Sequence, residues 1–303
     1  GQKNTGLGRG SLQSNTTADE NTAVGYNSLY ANTTGTANVA LGKDALGGNT
    51  TASNNTGVGY FALKANTTGA NNVAIGANSL DTNTTASNNT AVGYNALTAN
   101  TTGTGNAALG KGSLQSNTTA NYNTAVGEDA LRDNTTGATN TAVGSAALDE
   151  NTTGSNNTAV GQGALSENTT ANNNTAVGRD ALFANTTGTD NTSIGTGALQ
   201  DSATGDSNVA VGRLALENNT TASNNTAVGK SALGSNTTGT GNVAVGESAL
   251  TTNITGNYSV AIGREALKVS TGGLATAVGA FAADAHTTGA YTTAIGYSAL
   301  GAV

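Results

Sequence analysis

Asn89-Thr90-Ala91-Val92-Gly93-Tyr94-Asn95-Ala96-Leu97, followed two residues later by Asn100-Thr101-Thr102-Gly103, is one turn of the pattern that decides the fold. The glycine closing its apolar triplet recurs at Gly8, Gly25, Gly42, Gly59, Gly76, Gly93 and onward in steps of 17 to Gly263. One step of 16 leads to Gly279 and a last step of 17 to Gly296, making eighteen units. A unit this short cannot hold a helix pair, and it carries no apolar stripe at helical spacing. The triplet Thr90-Ala91-Val92 alternates with a period of two, which is a short strand. With no Pro and no Asn-Gly dipeptide, the hairpin signals of an antiparallel meander are missing. The expected fold is all-β: a parallel β-solenoid in which each repeat unit makes one coil, eighteen coils in all.

The repeat predicts where each column lies. The aliphatic residue before the glycine, as in Val24, Val58, Val92, Val126 and Val160, is expected inside, with the small residue before it turned outward so that another backbone can approach. Leu29, Leu63, Leu97, Leu131 and Leu165 form a second apolar wall. Between the walls Gly25, Gly59, Gly93, Gly127 and Gly161 stand at a corner, where the chain takes positive φ or leaves no room for a side chain. The residue closing N-T-T alternates between Ala18, Ala52, Ala86 and Gly35, Gly69, Gly103, so that turn does not require positive φ; the alternation points to an ancestral doubled unit. Two asparagine columns, one from Asn4 to Asn242 and one through Asn32 and Asn49, would stack at about 4.8 Å and hydrogen-bond from coil to coil. The regular array spans 1–263. The segment 264–303, with its shortened unit and altered columns, is expected to end it as a transition or cap. Because a missing residue inside a strand would reverse the faces beyond it, the shortening is expected in a turn.

Composition narrows the function. The chain has 43 Gly, no Cys, Met or Trp, only 8 Tyr and 3 Phe, and a net charge of −7. Its few Lys and Arg are scattered, without a basic stripe or interleaved aromatics, which argues against nucleic acid. No apolar run approaches the roughly 18 residues of a membrane span, so no membrane contact by this segment is expected. Two large aliphatics per coil give a lone chain little burial, so partners are expected to be copies of itself.

The core N-T-A-V-G-x-x-A-L, and above all Ala275-Thr276-Ala277-Val278-Gly279-Ala280-Phe281-Ala282 with Tyr291-Thr292-Thr293-Ala294-Ile295-Gly296, resembles the head repeats of trimeric autotransporter adhesins of the YadA-like kind, also found in phage-type tail fibres. The resemblance covers the whole chain and implies a left-handed β-roll, a homotrimer, and a place outside the cell, on its surface or on a virion fibre. The unit here is longer than the family's, with the extra residues in the N-T-T turn. A structural or adhesive fibre segment follows, with a host-surface or matrix ligand as its partner.

Chemistry is sparse. His286 is the only histidine and has no convergent partners, and the acidic pairs Glu128-Asp129 and Asp149-Glu150 fall in variable, solvated columns, so no enzyme, metal site or cofactor is expected. The N-T-T and N-I-T triplets at Asn15, Asn32, Asn49, Asn66, Asn83, Asn100, Asn117, Asn134, Asn151, Asn168, Asn185, Asn219, Asn236 and Asn253 fit the glycosylation sequon, and equally fit a stacked turn ladder. Tyr26, Tyr60 and Tyr94 share one exposed column that becomes Glu, Ser, Gln and Arg further on, which reads as surface variation. Two alternatives remain: a self-polymerising, glycosylated extracellular filament, and an ice-binding solenoid, which would need flat outward ranks of the Thr-x-Thr kind.

Overall fold

The computed structural model describes residues 1–301, in two compact units, the first Gly1–Thr153 and the second from Gly154 onward. The first holds β1 (Thr5–Leu7), β2 (Thr22–Val24), β3 (Val39–Leu41), β4 (Thr56–Val58), β5 (Val73–Ile75), β6 (Thr90–Val92), β7 (Ala107–Leu109), β8 (Thr124–Val126) and β9 (Thr141–Val143). The second holds β10 (Thr158–Val160), β11 (Thr175–Val177), β12 (Thr192–Ile194), β13 (Val209–Val211), β14 (Thr226–Val228), β15 (Val243–Val245), β16 (Val260–Ile262), β17 (Thr276–Val278) and β18 (Thr293–Ile295). Within each unit, neighbouring strands in sequence pair in parallel with like residue on like, as in Ala91 on Ala108 and Ala159 on Ala176. Each unit is a parallel β-solenoid with one coil per sequence repeat, and no helix occurs among the described residues.

Hydrogen bonding between coils extends beyond the strands. In one coil Thr90 N donates to Asn106 O, Leu97 N to Ser113 O and Thr101 N to Thr118 O, all at 2.9 Å. Strand, curl and N-T-T turn therefore each satisfy their backbone groups on the next coil. The curl after the corner glycine is built from left-handed backbone: Asn95 and Leu97 have φ of 56° and 53°, and the pattern returns in the other coils. Left-handed φ at leucine costs about 1–2 kcal/mol in isolation. It turns the side chain into the lumen, where every Leu from Leu29 to Leu250 in this column is fully buried.

The Val column is a correction to the sequence reading. Val24, Val58, Val92, Val126 and Val160 face outward and are half-buried, whereas the small residue before each, such as Ala23 or Ala91, is fully buried. The lumen is too thin for a second large side chain. Ser193, the hydroxyl residue in the small column, reaches Ala198 O at 2.7 Å, and a Cβ on Gly57 would lie 3.2 Å from Leu46 Cγ. One leucine per coil fills the space, so only Ala, Ser or Gly fits opposite. The narrow column is narrow because it points in.

The corner glycines combine both expected reasons. Gly25 has φ of 134°, and a Cβ there would lie 2.5 Å from Gly42 O. The Ala residues at the close of N-T-T have no positive φ, as their alternation with Gly predicted.

The short unit keeps its strands in register. Val260 pairs with Thr276 and Ile262 with Val278, so the missing residue is absorbed in the turn. Asn253-Ile254-Thr255-Gly256 corresponds to Ser270-Thr271-Gly272, and the position lost is the second residue after the Asn column, the exposed one.

Candidate functional site

The N-T-T turn is the most elaborated part of each coil. Asn32 donates from Nδ2 to Asn15 Oδ1 at 3.2 Å and to Gly35 O at 2.9 Å; Asn49 repeats this on Asn32 Oδ1 and Ala52 O. The second unit builds the same ladder, with Asn185 on Asn168 Oδ1 and Asn236 on Asn219 Oδ1. The other asparagine column works differently. Its Oδ1 accepts the backbone N–H of the next Asn, as Asn55 N donates to Asn38 Oδ1 at 2.9 Å, while its Nδ2 reaches the carbonyl that closes the turn. All these amides are completely buried from Asn21 onward.

This geometry removes the glycan reading of the folded turn. Glycosylation would substitute an Nδ2 hydrogen, yet Asn32, Asn49, Asn66, Asn83, Asn100, Asn117, Asn134, Asn151, Asn168, Asn185, Asn219, Asn236 and Asn253 are fully buried. Asn15, in the first coil, is partly buried and also donates to Ala18 O. Of the two threonines, the first donates its hydroxyl to the next coil, Thr33 Oγ1 to Thr50 O at 3.0 Å, and the second stands exposed. His286 occupies an Asn position and reproduces only the contact with the carbonyl three residues on, its Nε2 lying 3.0 Å from Gly289 O and 2.9 Å from Thr292 Oγ1.

The outward face of the strands carries two parallel columns. One is Thr22, Val39, Thr56, Val73, Thr90; the other is Val24, Leu41, Val58, Ile75, Val92, and Leu109 beyond. Exposure in the second alternates with the doubled unit: Leu41, Ile75 and Leu109 are 48%, 41% and 50% exposed. In β3 and β5 both outward residues are aliphatic. A parallel sheet that leaves such a face open is unusual, because parallel sheets are ordinarily covered on both sides. Thr fills the first column without a break from β8 to β12, but the second outward residue of every strand is Val, Leu or Ile, so the face lacks the Thr-x-Thr ranks expected of an ice-binding surface.

Charged groups pair along the columns. Lys3 meets Glu20 at 2.9 Å and Lys111 meets Glu128 at 2.8 Å, each one coil apart. Asp149 departs from the solvated surface expected for it. Its side chain is largely buried with Oδ1 unpartnered, and burial pushes its carboxyl up to about 6 even though Arg132 lies 3.2 Å from the other oxygen. Asp133, Asp129 and Glu150 add to the upward shift. The column after the corner glycine interleaves cations and aromatics at coil spacing: Arg9 lies 5.9 Å from the Tyr26 ring and Lys43 5.4 Å from the Tyr60 ring. Their separation by a full coil hides this in a linear reading, which treated the tyrosines alone.

Beside that column, the dipeptide Gly47-Gly48 leaves a notch of about 420 Å³, with Tyr30 on one side and Lys64 on the other. No helix of the structure is long and apolar enough to cross a membrane, and among the described residues no three His, Cys, Asp or Glu are grouped to hold a metal ion. No protein-family model and no curated protein matches the chain.

Proposed function

We propose that this chain is an extracellular structural or adhesive fibre segment that works as a homo-oligomer, most simply a trimer, whose open strand faces pack on one another. The observation that carries this reading is the outward aliphatic column, with Leu41, Ile75 and Leu109 exposed at regular intervals. Burying such residues contributes about 25 cal/mol per Å², a term that accumulates along a repeat. Three copies set around a common axis would bring these apolar stripes together, each packing against its neighbours through a heterologous, ring-closing contact. The N-T-A-V-G-x-x-A-L motif, similar to YadA-like head repeats, supports the trimer and a location on a cell surface or virion fibre. The interior is spent on maintaining the stack, with amides, Leu and Ala filling it coil after coil. That suits a spacer that presents its turns and exposed columns for attachment better than it suits a catalyst.

Native mass spectrometry and light scattering at micromolar concentration test the reading. The parent is expected as a trimer, and a variant with Leu41→Lys, Ile75→Lys and Leu109→Lys as a folded monomer. A parent that stays monomeric overturns the oligomeric fibre.

A further inference from the structure

The notch over Gly47 and Gly48 has a definite origin. In the first five coils the residue after Leu lies at the surface, and along this column the order is Gln13, Tyr30, Gly47, Lys64, Asp81. Gly47 removes one side chain from the row. The resulting recess, about 420 Å³, lies within the ordinary range for small-molecule sites. Its two flanking residues are two coils apart, a separation of about 10 Å at the spacing of stacked strands.

The lining combines one aromatic side chain with polar residues able to bind hydroxyls. Tyr30 is 39% exposed and offers a ring to an apolar face. Asn27, Asp44 and Asp81 supply acceptors, and Lys64 supplies donors. Burial raises the Asp81 carboxyl above its ordinary range, with Lys64 opposing the shift. Lys64 Nζ is held 3.9 Å from the Phe61 ring centroid, and Phe61 stacks on Tyr60 at 3.8 Å, so the cation side of the recess is fixed by packing. On this side the recess adjoins the Arg9, Tyr26, Lys43, Tyr60 column, which continues aromatic and cationic contacts along the coils.

We infer that this notch is a saccharide subsite, in which a pyranose unit of a polysaccharide lays its C–H face on Tyr30 and directs its hydroxyls to Asn27, Asp44, Asp81 and Lys64. Two carboxylates in the recess disfavour a phosphate backbone and accept hydroxyl hydrogen bonds well, which separates a sugar from a nucleic acid. The inference deepens the attachment reading above by naming a class of ligand.

The test uses the full chain and three hexasaccharides as probes, cellohexaose, maltohexaose and hexagalacturonic acid, with a single-stranded oligonucleotide as a fourth arm, followed by calorimetry and amide chemical shifts. Saturable binding of at least one sugar is expected, weakened at least tenfold by Tyr30→Ala and by Gly47→Gln. The second variant refills the recess with the residue that already stands in this column at Gln13, Gln115 and Gln200, so the coil can carry it. Sugar uptake by neutral or acidic probes tells which polysaccharide class fits. No binding of any sugar, binding of the oligonucleotide alone, or binding unchanged in Gly47→Gln overturns the subsite. Mass measured on the same samples keeps the two proposals apart: a trimer that binds no sugar loses the subsite and retains the fibre, and a monomer that binds sugar does the reverse.

Discussion

Asn38 and Asn49, from the two different asparagine columns, both donate from Nδ2 to the carbonyl of Ala52, at 2.9 and 3.0 Å. One buried carbonyl per coil thereby uses both lone pairs, and the two ladders become a single network. Such networks are stable when complete, because each missing member leaves a buried group unsatisfied. Replacement of Asn66 is the cleanest probe. Asn66 donates to Asn49 Oδ1 and Gly69 O and accepts from Asn83 Nδ2, all at 2.9 Å. Asn66→Ala is expected to cost about 2 kcal/mol, read from the urea midpoint. Asn15→Ala, at a partly buried position, should cost clearly less.

The corner offers a sterically sharper change. Gly59 has φ of 137°, and a Cβ there would sit 2.5 Å from Gly76 O, a backbone atom that cannot move without opening the next coil. Gly59→Ala should cost more than about 3 kcal/mol, beyond ordinary point substitutions. Gly69, at the turn position where Ala52 and Ala86 flank it, has no positive φ, but a Cβ there would press into the backbone carbonyl of Ala86; Gly69→Ala should therefore also destabilise, through that contact alone and without the backbone strain that adds to the cost at Gly59. Circular dichroism melts of the pair decide whether the two glycines differ as stated.

How much was legible in the sequence depends on which force set the column. The period, the parallel register and the corner glycine follow from repetition and backbone sterics, which act through residue identity at fixed spacing. The facing of Thr90-Ala91-Val92 did not follow, because alternation says that Ala91 and Val92 point opposite ways without saying which is inside. Lumen volume decides that, and it is set by Leu97 entering through left-handed backbone, a conformation that no propensity assigns to leucine. The Asn100 sequon was ambiguous for the same reason: burial separates a ladder amide from a glycan acceptor. The Tyr30 to Lys64 notch was invisible because its walls stand two full repeats apart along the chain.

A pair of substitutions tests that facing directly. Leu97 is fully buried, and Leu97→Ala should cost about 3 kcal/mol through lost burial and a cavity. Val92→Thr, on the outward face, should leave the stability of a single folded chain within about 0.5 kcal/mol while weakening self-association. Hydrogen exchange on dilute protein, beside sedimentation on concentrated protein, separates the two effects. Equal loss of stability in both variants would return Val92 to the core.

Asp149 gives a pH dependence. Its carboxyl is pushed up to about 6 in the folded chain from an ordinary 3.8. Between those values the folded state retains a proton that the unfolded state has released, so stability from this group is full below about pH 4 and falls as pH rises through about 6. The gap between the two values bounds the effect at about 3 kcal/mol, and the Arg132 contact at 3.2 Å limits what is recovered by removing the charge. Asp149→Asn is expected to raise stability by roughly 1 kcal/mol at about pH 7 and to flatten the profile between about pH 4 and 7. Urea titrations across that range check it, and a parent whose stability rises over the same interval contradicts the assignment.

The short unit predicts where the chain tolerates a change in length. Ser270-Thr271-Gly272 lacks the residue that in other coils is the exposed second threonine, while Val260 and Thr276 remain in register on either side. Since that position contributes no side chain to the lumen, a Thr inserted between Thr271 and Gly272 should restore the common turn and change stability by less than about 0.5 kcal/mol. Ser270 has a buried hydroxyl without a partner, so combining the insertion with Ser270→Asn should go further and stabilise, by supplying the amide that its neighbours use. The same single residue inserted after Ala277 would turn Val278 inward against a lumen with no room for it and reverse every later side chain of that strand. It should unfold the terminal coils. Hydrogen exchange resolved by coil distinguishes the cases: the turn insertion should leave protection in β16 and β17 unchanged, and the strand insertion should abolish it from β17 onward. If both insertions strip protection equally, the turn is not the elastic part of the coil, and the ladder of asparagine amides tolerates no change in path length anywhere along it.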